Sequence, residues 1–162
     1  MSNFEPEKTG RITVPLAVVI VLLADQVSKF LVKRSMALGD SVRVLGDLFR
    51  FTYIRNPQAA FGVGVGGKPF HILLSTFAIL FLLLMLVKIA SRKGPVAIAL
   101  ALILGGAVGN LIDRIRTGEV IDFLDLGIGR YRWPVFNFAD VGVTVGVIFL
   151  VFSLLIPRRL SG

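Results

Sequence analysis

The chain has 162 residues, 55% hydrophobic and only 17% charged, with mean hydropathy +0.82 and a formal net charge of +8. A water-soluble domain of this length is about half apolar and a quarter charged, so the excess faces lipid. The absence of cysteine excludes disulfides, thiol nucleophiles and thiolate metal sites, and a single histidine, His71, excludes multi-histidine zinc sites.

Four apolar segments are long enough to span a bilayer, near residues 12–32, 70–89, 96–112 and 139–156. They define one integral membrane domain over 1–162, with loops at 33–69 and 113–138. Lys8 and Arg11 precede the first span, but its apolar run is long and no small-x-small cleavage site follows before Lys33, so it reads as a retained span. Four spans put both termini on one side. The short second loop, its flank and the two tails carry Lys8, Arg11, Lys88, Arg92, Lys93, Arg158 and Arg159, whereas the other loops spread a larger number over longer segments. Density next to short loops places both termini in the cytoplasm. The basic residues lie beside apolar runs and line no polar face, which suits anionic headgroups and excludes nucleic acid as a partner.

Span one contains Asp25, Gln26 and Lys29. The four-residue spacing sets acid and base on one helix face in the favourable order, a pair that reads as structural. In the first loop, Val42-Arg43-Val44-Leu45 and Leu48 to Ile54 flank Gly46-Asp47. This predicts a hairpin with Phe49, Phe51 and Tyr53 on one face, lying on the membrane surface. His71, at the start of span two, reads as an interfacial polar residue.

Span three ends with Gly106, Asn110, Asp113 and Arg114 on one stripe, while Gly105 and Gly109 form a small-xxx-small pair for helix approach. Arg114 reads equally as a headgroup contact. In the third loop, Val120, Phe123 and Leu124 fall at helical spacing beside Asp122 and Asp125, with Tyr131 and Trp133 following. This predicts a short interfacial helix on the bilayer. Span four opens Asn137-Phe138-Ala139-Asp140, where Asp140 suits either a helix N-terminus or a site. Two Asn-x-x-Asp units at the facing ends of consecutive antiparallel spans bring Asp113 and Asp140 to one membrane face. A pair of carboxylates there shares a proton and can run aspartic-protease chemistry on a water, with no cofactor and no metal. Paired intramembrane carboxylates also bind ions, which leaves a small proton- or cation-coupled transporter as the alternative. A serine/lysine peptidase ranks lower, because Asp25 holds Lys29 charged.

The motifs resemble those of the lipoprotein signal peptidases, or signal peptidase II, across nearly the whole chain. They are Asp25-Gln26 with Lys29, Asn56-Pro57-Gln58-Ala59-Ala60-Phe61-Gly62, Gly105-Gly106 through Asn110 to Asp113-Arg114, Val120-Ile121-Asp122-Phe123, and Trp133 through Asn137 to Asp140. The resemblance implies a membrane aspartyl endopeptidase of the bacterial inner membrane, inhibited by the cyclic peptide globomycin. It would act as a monomer among membrane lipids on diacylglyceryl-modified prolipoproteins, cutting before the lipidated cysteine. The implied fold is four helices with a small extracytoplasmic β-sheet and a short surface helix. The implied dyad is Asp113 and Asp140 toward the extracytoplasmic face, with Asn56, Asn110, Arg114 and Asn137 lining the site and Asp25 and Lys29 as support. The family pattern has glycine where this chain has Gln58, a change that strains a turn, narrows the cleft or adds an amide contact, and the glycines at 62, 64, 66 and 67 suit a plain flexible connector as well as a lid.

Overall fold

The computed structural model describes residues 9–57, 67–89 and 94–155. Gln58, most of the glycine-rich stretch and the basic residues of the tails and second loop, Arg11 and Lys88 excepted, lie outside these. Four helices are long and apolar enough to cross a membrane: α1 (Thr9–Ser35), α2 (Gly67–Ile89), α3 (Pro95–Thr117) and α4 (Phe138–Leu155). Each extends or closely matches a span expected from hydropathy. α3 runs five residues beyond the apolar segment, which carries Asp113, Arg114 and Arg116 within its last turns.

α3 is the central helix and packs against α1, α2 and α4. Its start and stop follow from local chemistry. Pro95 occupies the first turn, where its missing N–H costs nothing, and Gly118 ends the helix in the left-handed conformation (φ 87°), donating its N–H to Arg114 O at 2.9 Å. Small residues decide how close the neighbours come. A Cβ on Gly106 would collide with the Ala139 carbonyl of α4, and one on Gly109 would fall 2.5 Å from Asp25 Oδ2 of α1. Gly109 thus makes room for a carboxylate as well as for a helix.

Where the helices end, a four-stranded antiparallel sheet forms in the order β1 (Ser41–Leu45), β2 (Phe49–Asn56), β3 (Val120–Ile128), β4 (Tyr131–Arg132). The expected hairpin is β1–β2. Its turn has Gly46 at φ 52° and is closed by Leu48 N–H to Leu45 O at 3.0 Å. Phe49, Phe51 and Tyr53 do share a face, which packs with Phe123 and Leu124 onto Val32 and Met36 at the end of α1 and Val141 of α4.

The third loop differs from expectation. Val120–Ile128 is a strand, β3, and no helix forms there. Both its faces are covered from Val120 to Leu124, so apolar residues do not alternate, and Val120, Phe123 and Leu124 coincide with a helical pattern by accident. The unpaired edge of β2 decides the outcome, taking β3 in antiparallel register with Ile54 opposite Asp122. His71 also departs from its expected setting: it is buried, and neither ring nitrogen has a hydrogen-bond partner among the described residues.

Candidate active site

Buried polar side chains gather where α1, α3, α4 and the sheet meet. α4 begins there with a reciprocal cap: Asn137 Oδ1 accepts from the Asp140 N–H at 2.9 Å, and Asp140 Oδ2 accepts from the Asn137 N–H at 3.2 Å. A third amide of that first turn, Ala139 N–H, donates to Asp25 Oδ1 of α1 at 2.9 Å. The Asn-x-x-Asp motif of span four is therefore a capping box as well as a candidate site element. Only half of Asp140 is used by the cap, since Oδ1 turns to α3 and accepts from Asn110 Nδ2 at 2.9 Å.

Lys29 lies at the centre of a first cluster. Its ammonium is 2.8 Å from Asp25 Oδ2, 2.8 Å from Asp113 Oδ2 and 3.0 Å from Asn110 Oδ1. Gln26 Nε2 completes the group by reaching Asp25, the Gly109 carbonyl and Asp113. Asp113 accepts further from the Ile121 N–H at 3.3 Å. All three ionic members are nearly or fully buried. The supporting ion pair expected of Asp25 and Lys29 is present, and Asp113 belongs to it.

Asn137 organises a second cluster. Its amide donates to Asp122 Oδ1 at 2.7 Å, to Asn110 Oδ1 at 3.1 Å and to the Ile121 carbonyl at 3.3 Å. Asn56, on β2 beside the site, donates to the other Asp122 oxygen at 3.0 Å. Asp122 is 2% exposed, and among the described residues it accepts hydrogen bonds from the neutral amides of Asn56 and Asn137. Burial pushes its carboxyl up to about 6 and the neighbouring Asp140 charge pushes the same way, against the opposing pull of the Asn56 and Asn137 amides and the Lys29 charge. Arg114 packs its guanidinium near the Asn110 carbonyl, within electrostatic reach of Asp140, Asp122 and Asp113. Asn110 joins the clusters, taking Lys29 and Asn137 on its oxygen and giving its amide to Asp140.

All eight residues expected at or around the site, Asp25, Lys29, Asn56, Asn110, Asp113, Arg114, Asn137 and Asp140, thus enter one hydrogen-bonded network. The residue that sequence reasoning undervalued is Asp122, read there as the polar side of a surface helix. A lone acid inside the run Val120-Ile121-Asp122-Phe123-Leu124 is a recognisable signal of a buried carboxylate once the run is taken as a strand.

A family model described as Signal peptidase (SPase) II matches residues 17–156. The chain belongs to the signal peptidase II family. Lipoprotein signal peptidases of Syntrophus aciditrophicus and Halothermothrix orenii are 46% and 43% identical to it, each over 86% of this chain and 90% and 92% of theirs. Two solved structures described as a bacterial membrane enzyme superpose with TM-scores of 0.77 and 0.74 at 36% identity, covering 88% of this chain and 87% and 92% of those chains. As a signal peptidase II the chain is a protease of the aspartic class and a multi-pass protein of the bacterial inner membrane. The comparisons lend no support to a transporter.

Proposed function

We propose that this signal peptidase II cleaves diacylglyceryl-modified prolipoproteins on the N-terminal side of the lipidated cysteine, using Asp122 and Asp140 as its dyad. The assignment moves one member of the pair from Asp113, the acid that spacing alone favours. The observation that carries it is the contrast in partners. Asp113 is bound by the Lys29 ammonium, whereas Asp122 is buried near Asp140 and, among the described residues, takes its hydrogen bonds from the Asn56 and Asn137 amides. A carboxyl pushed up to about 6 next to an ionised neighbour is the monoprotonated state that aspartic catalysis uses.

In this mechanism ionised Asp140, half-buried, takes a proton from the attacking water while Asp122 donates its proton to the carbonyl oxygen. The tetrahedral gem-diol then collapses: Asp140 gives its proton to the leaving amine, the C–N bond breaks, and Asp122 takes back a proton from a diol hydroxyl, which leaves a carboxylic acid and restores both acids. Asn110 and Asn137 act as positioning residues, since each fixes a dyad oxygen, and Asn56 orients Asp122 from the sheet. Arg114 places a positive charge within electrostatic reach of the dyad. Both acids come from one chain, so the enzyme acts as a monomer in membrane lipid. Basic density around the short second loop puts both termini in the cytoplasm, and with them the opposite, extracytoplasmic face receives the sheet and the dyad.

The test is incubation of the purified protein with a diacylglyceryl-modified prolipoprotein, resolving the released signal peptide by mass, with Asp122→Asn, Asp140→Asn and Asp113→Asn in parallel. Loss of turnover in the first two with survival in the third is the expected result. An active Asp122→Asn beside an inactive Asp113→Asn returns the dyad to the α3 acid, and no release from native protein overturns the substrate.

A further inference from the structure

β3 carries Asp122 near one end, and its other end arrives at an exposed apolar surface outside the spans. The β1–β2 turn and the β3–β4 turn lie side by side, joined by Gly127 N–H to Leu48 O at 3.0 Å and Trp133 N–H to Leu126 O at 2.8 Å. Around them Leu48, Leu126, Gly127, Ile128, Tyr131 and Trp133 line an open hollow of about 420 Å³. Ile128, Tyr131 and Trp133 are each at least 70% exposed, and Leu48 is 54% exposed. Water-facing protein surface rarely concentrates such residues unless something covers them.

We propose that this tip is seated in the bilayer leaflet that adjoins the sheet, as a second membrane attachment that holds β3, and with it Asp122, at a fixed depth. The occupant is bulk lipid because exposed apolar side chains recur along the chain from the lipid-facing end of α1 to the tip. Leu31 at the end of α1, Leu38 after it, then Val42, Val44 and Leu45 of β1 are all largely exposed and lead to Leu48. The rim has the chemistry of the headgroup layer. Arg130 lies over the Tyr131 ring at 5.1 Å, and Arg43 beside the first turn is well exposed, so aromatic rings meet cations where anionic phosphates would sit. The turns satisfy the backbone groups named above internally, as a lipid-seated segment requires. Asp122 and Ile128 are six strand residues apart, roughly 20 Å at the usual rise. The attachment therefore stands to the side of the helix bundle and acts on the acid through a rigid, paired strand. Its bearing on cleavage rests on the dyad proposed above; its seating in lipid does not.

Trp133 is the sole tryptophan of the chain, which makes it a built-in probe at the tip. The full-length protein is reconstituted in phosphatidylcholine/phosphatidylglycerol vesicles containing phosphatidylcholine brominated either near the glycerol or near the chain end. The expected result is blue-shifted emission, strong quenching by the shallow bromines, weaker quenching by the deep ones and protection from aqueous acrylamide. Red emission that acrylamide quenches fully and bromolipid does not touch overturns the proposal. So does quenching that appears only when a substrate with brominated acyl chains is added, which would make the hollow a substrate subsite. In the variant Leu48→Asp with Ile128→Asp, bromolipid quenching should fall several-fold, and cleavage in vesicles should fall about tenfold relative to the variant's own rate in detergent. Unchanged vesicle cleavage with quenching lost overturns the depth-setting role. If the variant is inactive in detergent as well, native Trp133 quenching alone decides, and it does so whether or not the peptidase reading survives.

Discussion

Asp25 and Asp113 share the ammonium of Lys29, whereas among the described residues Asp122 and Asp140 are linked through the amides of Asn137 and Asn110. The two pairs lie in one network, linked by Asn110, and consist of the same functional group. What separates them is the charge each is given as a partner. A buried carboxylate facing a cation has its charge balanced in place by an ion pair. One facing amides and another carboxylate keeps a proton within reach of neutral pH. Asp125 repeats the lesson three residues from Asp122 on the same strand. Burial works against its charge too, but Arg132 and Thr52 outweigh it and hold that carboxyl below its ordinary range. The first kind of acid builds the protein; the second is available for chemistry.

The sharpest way to break this division is to remove the ionisable groups one at a time. Asp122→Asn and Asp140→Asn should each lower cleavage by about 10⁴-fold, since an amide cannot exchange the proton that catalysis moves. The peptide-release assay measures this, and thermal unfolding in detergent should show both variants folded. Asp113→Asn should stay within about tenfold of native turnover, as expected for a residue outside the reacting atoms. Its melting temperature should fall, because Lys29 loses one of its two charged partners. A variant as inactive as Asp140→Asn yet stably folded would erase the distinction between the clusters.

Asp25→Ala sharpens the comparison from the structural side. It strips Lys29 of one of its two acids and leaves the Ala139 N–H of α4 uncapped, a loss on the order of 3 kcal/mol. Replacing Asp25 and Lys29 together by leucine should recover much of that loss, read again by thermal unfolding. No recovery would mean that Asp25 matters chiefly as the cap of α4 and not as a charge partner.

The smallest effects concern pH. Asp122 lies at about 6 when folded against 3.8 as its ordinary value, so the folded state holds its proton more tightly. The stability this brings is fully present below about 3.8 and is lost as pH rises through about 6. Native protein should therefore lose thermal stability over that interval, and Asp122→Asn should flatten the slope. In kcat/KM the same group should give a limb near 6, with activity falling as the proton leaves. Bound substrate covers the cleft and desolvates the acid further, so the limb in kcat should lie at higher pH. A profile flat through this interval would remove Asp122 from the proton inventory.

Much of this architecture is legible before any coordinates. Lipid tolerates only long apolar helices, so hydropathy finds the four spans to within a few residues, and Gly46-Asp47 between β-rich runs marks the hairpin. The Asp25–Lys29 pair follows from spacing alone. Two features were not legible, for a common reason. β3 is covered on both faces, which hides the period of two that identifies a strand, and Asp122 was misplaced with it. Spacing also brings Asp113 and Asp140 to one membrane face correctly, but it carries no information about which acid Lys29 chooses. That choice depends on Gly109, whose missing side chain lets α1 approach and delivers both Asp25 and Lys29 to α3.

The contact between Asp25 Oδ1 and the Ala139 N–H bears on the order of events during biogenesis. α1 enters the membrane with Asp25 and Lys29 already matched by their own helical spacing, so it needs no later segment to make its charges tolerable there. The second oxygen of Asp25 stays without this partner until the last span arrives and presents its first turn. Seating α4 on the earliest-made helix is the same event that brings Asp140 to Asn110 and Asn137 to Asp122. On the proposed dyad, completion of the chain's insertion and assembly of a competent protease therefore coincide, and an incompletely translated chain, lacking its final span, has no hydrolytic centre with which to attack the other proteins in the membrane.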